Sequence, residues 1–394
     1  MIPIPISATV HLAHLPVCNR FQNGYPPSPT SGQVPSPTDA ARRGNGFRRG
    51  WHRHESGGGQ GRKPVLDAVL DGIRDNDFLI VGRAGIDFFT DPGVRLEDAE
   101  RVSVDLGGSA ANIGAGICKL GGRAALVTCV SDDSIGSYCL GRLAHYGVDA
   151  SHVRKVGGEA RNSLAVYESR VEGHRNVIYR NGAADFEMSQ ADVAGIDYAR
   201  YGALITAGTV FAAEPSRSAA FSAIRLARAA GLPVLFDVDY RPYSWPSPQV
   251  ARDVLSAAAV ESDMIVGNDE EFGFIAGAHE RGRDAARDLA ADGNRIAIYK
   301  MGEGGAITFA EGEAIATGIY PVTALKPTGA GDSFMAGLLT GLAAGMALRD
   351  AVLRGSACAA ITVSKPGCAP AMPRPAELQE FLANHPGPTR PQGG

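Results

Sequence analysis

The sequence predicts an α/β fold in which a mostly parallel sheet carries helices on both faces. From about residue 66, short apolar runs alternate with longer Ala-rich segments. This alternation is typical of right-handed β-α-β units, and strands that are apolar along their whole length are typical of sheets covered on both faces. The predicted strands are Phe78–Val81, Ala124–Val130, Ala203–Ala207, Pro233–Asp237, Met264–Val266 and Ile296–Tyr299.

The segments between these strands have the length of ordinary helices. The clearest are Ala110–Leu120, Ser134–Tyr146, Ser216–Ala230 and Glu280–Ala291. Residues 87–106 and 162–181 break the alternation, because polar and apolar residues there repeat with a period of two. That period favours half-buried antiparallel strands. The two regions therefore predict a second, small sheet, which would serve as a lid or as a dimer surface.

The charge is divided unevenly along the chain. The whole protein has a net charge of −4, made of +6 in residues 1–64 and −10 in the remainder. Residues 1–75 are rich in Gly, Pro and Arg, so we expect a disordered extension, then one domain over residues 76–385 and a disordered tail over 386–394. The extension is either a basic arm for nucleic acid or membrane or a dispensable segment, and its composition favours the second.

Several protein classes are not expected. The longest apolar runs are too short for the ~18 residues of a membrane helix, and Pro3 and Pro5 interrupt an N-terminus that lacks the basic start of a secretory leader. The six cysteines are widely separated, which disfavours disulfide frameworks and metal knuckles and favours a reducing cytoplasm. The acidic body argues against a nucleic-acid partner.

The segment Thr328–Asp332 indicates an anion site. Gly329, Ala330 and Gly331 let a ligand approach the backbone N–H groups, and the helix that follows directs its positive end to the same place. Asp332 there could accept a proton from a hydroxyl that attacks a phosphoryl group. It could equally be a simple N-cap of the helix.

Two further clusters carry polar side chains beside turns. Gly107 and Gly108 allow a ligand to lie against the backbone, and Asn112 offers a donor and an acceptor suited to sugar hydroxyls, although a plain strand-to-helix turn would look the same. Asn268 and Glu271 follow a strand at the edge where ligands collect, so a carboxylate there could hold Mg²⁺ directly or through water. A charged first turn of a helix is the simpler interpretation.

Two nucleotide-binding motifs are missing from the sequence. It contains no Gly-x-x-x-x-Gly-Lys-[Ser/Thr] segment, so a P-loop is excluded. The segment Gly82–Gly85 after the first strand lacks the complete Gly-x-Gly-x-x-Gly spacing. A dehydrogenase is therefore disfavoured.

The three clusters, in the order in which they follow along the chain, resemble the signatures of the ribokinase-like (PfkB) family of carbohydrate kinases. The resemblance extends from about Phe78 to Leu382. The resemblance implies a three-layer α/β/α domain with a small β lid. It also implies phosphorylation of a hydroxymethyl group with ATP and Mg²⁺, with Asp332 as the general base and the N–H groups of Gly329 to Asp332 as the anion hole. By the same match, Asp87 binds substrate hydroxyls and Lys300, Gly302 and Gly305 border the nucleotide.

Three segments resemble one branch of this family, which acts on an open-chain keto acid of bacterial myo-inositol breakdown. They are Val81–Asp87, Phe236–Trp245 and Val363–Pro373. Such a substrate carries a carboxylate, and we expect Arg180 to bind it bidentately. Arg83 and Arg241 are the alternatives, either for this carboxylate or for the transferring phosphate.

Two positions depart from the family pattern. Many ribokinase-like enzymes have an Asp six residues before the base, where it helps to bind potassium, and this chain has Lys326. An ammonium group in the cation's place predicts activity without potassium. Asp239 stands where related keto-acid kinases usually have Asn, which leaves its role open.

The leading hypothesis is thus a kinase for 5-dehydro-2-deoxy-D-gluconate that forms the 6-phosphate. The alternatives are a kinase for 2-keto-3-deoxygluconate, fructose or another sugar, and a non-catalytic sugar-binding protein, against which the retained Asp332 argues. The expected partners are the sugar acid and ATP, with neither nucleic acid nor membrane. The family often pairs through the lid strands, so a homodimer is a further expectation.

Overall fold

A computed structural model describes residues 65–73, 75–171, 173 and 175–390. Most of the predicted N-terminal extension and the last four residues lie outside the described residues. The main sheet has nine strands in the described chain, in the order β13-β12-β11-β10-β9-β8-β1-β4-β5. Their bounds are β1 Asp77–Val81, β4 Arg123–Ser131, β5 Val153–Val156, β8 Ala203–Ala207, β9 Val234–Asp237, β10 Met264–Asn268, β11 Ile296–Lys300, β12 Ala306–Ala310 and β13 Glu313–Thr317.

The strands from β5 to β11 in this order are all parallel, and β12 and β13 add an antiparallel edge. Successive side chains of a strand point to opposite faces. Phe78 and Ile80 of β1 belong to the apolar cluster formed with one helical layer, while Leu79 and Val81 are also fully buried and point to the other face. The sheet is therefore covered on both sides, as the apolar strands predict.

The described residues contain eleven α-helices. They are α1 Val65–Ile73, α2 Ser109–Lys119, α3 Ser134–Tyr146, α4 Gln190–Ala194, α5 Ser216–Ala229, α6 Pro248–Val260, α7 Asp269–Ala276, α8 Gly282–Ala290, α9 Ala330–Ala343, α10 Leu348–Val363 and α11 Pro375–Asn384. Helices α1, α2, α9, α10 and α11 pack together as one layer, and α4 to α8 form the other, with α4 against α5 and α6 and α8 against α7. The expected three-layer α/β/α architecture is confirmed.

The two period-two regions form the second sheet. Its strands are β2 Gly85–Thr90, β3 Val102–Gly107, β6 Leu164–Tyr167 and β7 Asn176–Tyr179, in the order β3-β2-β6-β7. The outer pairs are antiparallel as expected, but β2 and β6 are parallel. Because β2 and β6 come from different parts of the chain, their relative direction was beyond the reach of local patterns.

Two predicted boundaries need correction. The disordered extension was expected to reach residue 75, but Val65–Ile73 forms helix α1, whose Val65, Val69 and Ile73 are buried in the core. The tail was expected to be disordered from residue 386, but Thr389 exchanges two hydrogen bonds with Ile319. Among the described helices, none is long and apolar enough to cross a membrane.

Candidate active site

A cavity of about 1230 Å³ opens at the carboxyl ends of the central strands. Asp237, Asn268 and Lys300 are the last residues of β9, β10 and β11, and all three line it. Every residue that the sequence proposed for catalysis or binding also lines it, with the exception of Gly107. Because ligand sites of parallel sheets lie at the carboxyl ends of the strands, residues that are far apart in the chain meet here.

Asp332 lies in the first turn of α9. Gly329 is the N-cap and has a left-handed φ of 80°, so the alternative interpretation of Asp332 as the N-cap is wrong. The Asp332 carboxylate instead accepts a hydrogen bond of 3.1 Å from Asn112 Nδ2, which α2 supplies. Burial, reinforced by Asp239, raises the pKa of Asp332 to about 7 despite the opposing Arg241, Asn112 and Lys300. A carboxylate of this kind can act as a base near neutral pH.

The backbone around Asp332 offers free donors. The first N–H groups of a helix have no acceptor inside the helix, and here they belong to Ala330, Gly331 and Asp332. All three residues line the cavity. The positive end of α9 therefore faces the space beside the candidate base, which suits an anion.

Asp87, on β2, is buried with its Oδ1 lacking a hydrogen-bond partner in the described part of the chain. Burial raises the pKa of Asp87 to about 7, although Arg83 opposes the shift. Gly107 does not line the cavity but makes room for this carboxylate, since a Cβ on Gly107 would lie 2.0 Å from Asp87 Oδ1. Gly107 therefore contributes to the site indirectly, by leaving space for the Asp87 carboxylate.

Asn112 adds another buried polar atom without a partner to the site. Its Nδ2 is used by Asp332, while its buried Oδ1 has no partner within the described residues. Gly108, which precedes α2 with a φ of 98°, brings the chain so close that a Cβ would lie 2.3 Å from the carbonyl oxygen of Arg83. Unpaired buried acceptors on a cavity wall are suited to the hydroxyl groups of a ligand.

Arg180 lines the cavity, but its charge is already matched. Its guanidinium forms an ion pair with Asp185, donates to the carbonyl oxygen of Thr209 at 2.8 Å and stacks 4.0 Å from the centre of the Phe186 ring. Burial lowers the pKa of Arg180 even with Asp185 beside it. The predicted carboxylate anchor is thus engaged by the protein itself, which the sequence could not show.

Arg241 and Asp239 form a second charged pair on the cavity wall. Arg241 Nη2 lies 2.7 Å from Asp239 Oδ1, and Asp239 Oδ2 also accepts hydrogen bonds from Ser109 at 2.7 Å and Thr209 at 3.2 Å. Asp239 raises the pKa of Arg241. Asp239 thus has a clear structural role. It holds Arg241 in place and connects the loop after β9 to Ser109 at the start of α2.

Asn268 and Glu271 make a reciprocal cap at the start of α7. Asn268 Oδ1 accepts from the Glu271 N–H, and Glu271 Oε2 accepts from the Asn268 N–H, both at 2.8 Å. The other carboxylate oxygen of Glu271 accepts from the Tyr240 N–H at 3.3 Å. The simpler interpretation of this cluster, a capped first turn of a helix, is therefore correct for Glu271.

Asp237 is a site residue that the sequence analysis missed. It is 5% exposed and lines the cavity, and burial holds its pKa well above the usual range although Lys300 opposes the shift. Its place as the last residue of β9, one strand from Asn268, is the signal that could have revealed it. No group of three or more metal-ligating side chains is present in the described residues.

Lys300, Gly302 and Gly305 lie together at the end of β11. A Cβ on Gly331 would approach Lys300 Nζ to 3.7 Å, so the ammonium group is close to the start of α9. Gly305 has a φ of 89°, and a Cβ there would meet the carbonyl oxygen of Thr317 at 2.1 Å. This turn therefore requires glycine, and it keeps the backbone close to the cavity.

Comparison with known proteins identifies the family of this chain. The sequence model described as "pfkB family carbohydrate kinase" matches residues 76–375. A protein from Photobacterium profundum named 5-dehydro-2-deoxygluconokinase is 36% identical over 80% of this chain and 97% of its own length. One of the same name from Geobacillus kaustophilus is 33% identical over 78% and 94%.

Solved structures share the fold. A PfkB protein from Polaromonas sp. JS666 has a TM-score of 0.67 and 27% identity, covering 77% of this chain and 99% of its own. A double mutant of a fructokinase from Vibrio cholerae, in a form with fructose, ADP and a potassium ion, has a TM-score of 0.68 and 25% identity, covering 78% and 98%. Fold, signature residues and sequence similarity together show that this chain belongs to the pfkB family of carbohydrate kinases.

Proposed function

We propose that this protein transfers the γ-phosphoryl group of ATP to the 6-hydroxyl of 5-dehydro-2-deoxy-D-gluconate, a step of myo-inositol breakdown. The name that the two relatives described above share supports this substrate. The cavity supports the reaction type, because it combines a carboxylate with raised pKa, a helix N-terminus and a lysine. Phosphoryl transfer needs mainly positioning and charge stabilisation, which these groups provide.

The proton of the attacking hydroxyl passes to Asp332. Asn112 fixes the orientation of the Asp332 carboxylate through the 3.1 Å hydrogen bond, so one oxygen is held and the other remains available. The N–H groups of Gly329 to Asp332 stabilise the negative charge on the phosphoryl group in transfer. The free oxygens of Asp87 and Asn112 accept hydrogen bonds from the other hydroxyls of the substrate.

The nucleotide is assigned to the end of the cavity bordered by Lys300, Gly302 and Gly305. Mg²⁺ usually keeps several waters and binds one or two carboxylates together with phosphate oxygens, and it neutralises the phosphate charge. Asp237 and Glu271 fit this mode, since both line the cavity, and Glu271, whose two oxygens already accept backbone hydrogen bonds, would contact the ion through water.

The observation that carries this proposal is the placement of Asp332 beside the N-terminus of α9. The test is ADP release with a panel of keto acids and sugars. We expect turnover with 5-dehydro-2-deoxy-D-gluconate, and a fall in kcat of about 100-fold or more in Asp332→Asn. Unchanged turnover in this variant would remove Asp332 from its role, and no turnover with any substrate would favour a binding protein.

A neutral sugar such as fructose is the second candidate substrate. The observation that favours it is the ion pair between Arg180 and Asp185, which occupies the arginine expected to bind a carboxylate. The same panel separates the two, because a clear preference for fructose would exclude the keto acid.

The small sheet supports the proposal of a homodimer. Its register places Val104, Phe88, Val166 and Val177 in one row across all four strands. Val104 and Val177 are 38% and 39% exposed, while the opposite face carries Asp87 towards the cavity. A contiguous exposed apolar row is typical of interaction surfaces. Light scattering should give twice the monomer mass, and Val104→Lys with Val177→Lys should give the monomer.

A further inference from the structure

Arg83 is a buried cation whose hydrogen-bonding capacity is largely unused. It is 6% exposed, lines the cavity and follows β1 after Gly82. Its Nη1 donates to Ser163 Oγ at 2.8 Å, and within the described residues this is its one side-chain hydrogen bond. No described carboxylate forms an ion pair with it. A guanidinium has five N–H donors, so most of them remain available.

Arg180 lines the same cavity, but the protein itself provides partners for its guanidinium group. It is 7% exposed, nearly the same as Arg83, but Asp185, the Thr209 carbonyl and the Phe186 ring occupy its guanidinium. A buried charge is costly unless a partner compensates it. The protein supplies a direct partner to Arg180. For Arg83, burial disfavours the charge, but Asp87, Asp185 and Asp239 outweigh it and raise the pKa of Arg83, although none of the three forms a direct ion pair with it among the described residues. A ligand carboxylate would be its first direct ionic partner.

The surroundings of Arg83 place it at the substrate end of the cavity. The carboxylates that act most strongly on Arg83 are Asp87, Asp185 and Asp239, whereas the cations that act on Asp332 are Arg241 and Lys300. Arg83 is therefore grouped with the residue proposed to bind substrate hydroxyls. Asp239 connects this group to Arg241, with which it forms the 2.7 Å ion pair.

The geometry around Arg83 suits a planar anion. A Cβ on Gly85 would lie 2.8 Å from both Arg83 Nη1 and Ser163 Oγ, so glycine at this position leaves the space that the guanidinium occupies. Ser163 fixes one nitrogen and leaves the rest of the fork open. Two parallel N–H donors of arginine match the two oxygens of a carboxylate.

We propose that Arg83 binds the carboxylate of an open-chain sugar acid and makes this site selective for acids over neutral sugars. This assignment rests on the proposed kinase function and replaces the expectation that Arg180 has this role. Arg180 is instead a positioning residue, since its ion pair with Asp185 supports the cavity wall.

The test compares the acid with its methyl ester, which has the same hydroxyl groups but no carboxylate charge. A hydrogen-bonded ion pair of this kind should favour the acid by about 10- to 100-fold in kcat/KM in the native protein. In Arg83→Gln the ratio should approach 1, and Arg83→Lys should retain part of it. The KM for ATP should be unchanged, and Arg225→Gln, which removes an exposed arginine of α5, should keep the native ratio.

Two results would overturn the assignment. In the first, the acid-to-ester ratio in Arg83→Gln stays at the native value while both rates are kept, which would exclude carboxylate binding by Arg83. In the second, the ratio also stays at the native value but kcat/KM falls for both substrates and the melting temperature falls with it, which would show a structural role. If the native protein prefers another sugar acid, such as 2-keto-3-deoxygluconate, the proposed substrate is wrong and the ratio for that acid decides the role of Arg83. If only neutral sugars react, both proposals are wrong.

Discussion

At the scale of single residues, two carboxylates set the electrostatics of the site. Burial raises the pKa values of Asp87 and Asp332 to about 7, and a neighbouring carboxylate adds to each shift, Asp332 for Asp87 and Asp239 for Asp332. Both residues could be proposed from sequence, Asp332 from its glycine-rich turn at a helix start and Asp87 from the resemblance to the family. The influence of Asp332 on the pKa of Asp87 could not be predicted, since it depends on the distance between α9 and β2.

The first prediction concerns the pH dependence of the reaction. A general base must be ionised, so kcat/KM for the sugar should fall below about pH 7 and approach a tenfold loss per pH unit. An unperturbed Asp would shift this fall to about pH 4. Rates in overlapping buffers between pH 5 and 9 provide the measurement, and a flat profile down to pH 5 would contradict the assignment.

The second prediction concerns stability. The folded-state pKa of Asp332 lies above its unfolded value, so ionisation weakens the folded state as pH rises from about 4, and this cost is complete above about 7. Asp332→Asn removes the cost. At pH 8 its melting temperature should exceed that of the native protein by a few degrees, and at pH 4 the two should be close. Equal melting temperatures at both pH values would show that the carboxylate is not destabilising.

The third prediction concerns Lys326. Its side chain is fully buried, and its Nζ donates to the carbonyl oxygens of Thr328 at 2.6 Å and Thr362 at 3.2 Å. Burial lowers the pKa of Lys326, while nearby Asp332 and Asp87 oppose this shift. We expect this fixed ammonium group, bound to backbone carbonyls, to take the place of a monovalent cation beside the proposed anion hole. Activity should therefore be the same in sodium and potassium buffers, and strong activation by potassium would refute the idea.

At the scale of elements, the sequence predicted those strands and helices whose patterns are local. The predicted Ser134–Tyr146 and Ala203–Ala207 coincide with α3 and β8. Helix α1 was missed because its nine residues follow a Gly- and Pro-rich segment and become helical by packing Val65, Val69 and Ile73 into the core. The ion pair of Arg180 with Asp185 was missed for a similar reason, since no periodic pattern marks it.

The fourth prediction concerns the segment after α11. Thr389 exchanges hydrogen bonds with Ile319, and His385 Nε2 donates to the Pro321 carbonyl oxygen at 2.9 Å. Thr389, Ile319 and Pro321 all line the cavity, and the segment lies beyond the residues matched by the family model. Because 317–322 continues from β13 near Gly305, we assign this wall to the nucleotide.

Removing residues 385–394 should therefore raise the KM for ATP several-fold and leave the KM for the sugar unchanged. Thr389→Ala, which removes one hydrogen bond worth about 1 kcal/mol, should give a smaller effect in the same direction. A larger effect on the sugar than on ATP would place this wall at the other end of the cavity.

At the scale of the whole molecule, the negative net charge of residues 65–394 explains why the site depends on local positive groups. The described part of the chain binds anions in an acidic body, so local groups must provide the attraction: the N-terminus of α9, Lys300 and the arginines at the cavity. The order of three short motifs was enough to indicate the family. The identity of the carboxylate-binding arginine was not accessible from sequence, because Arg83 and Arg180 differ only in their tertiary partners.

The last prediction compares two N-terminal truncations. The described residues that line the cavity begin at Arg83, so removal of residues 1–62 should leave kcat/KM and the melting temperature close to those of the full chain. Removal of residues 1–75 also deletes α1, whose Val65, Val69 and Ile73 are buried and whose Gly72 packs so closely that a Cβ would lie 2.5 Å from the Gly202 carbonyl oxygen.

Each buried apolar side chain contributes about 1.5–3 kcal/mol, so the loss of three should lower the free energy of unfolding by several kcal/mol. The longer truncation should thus melt at a much lower temperature or fail to fold, while the shorter one behaves like the full chain. Calorimetry and the coupled assay on both proteins check this. Reduced activity of the shorter protein would show that residues 1–62 contribute to function, and equal melting temperatures would show that α1 is not part of the folding core.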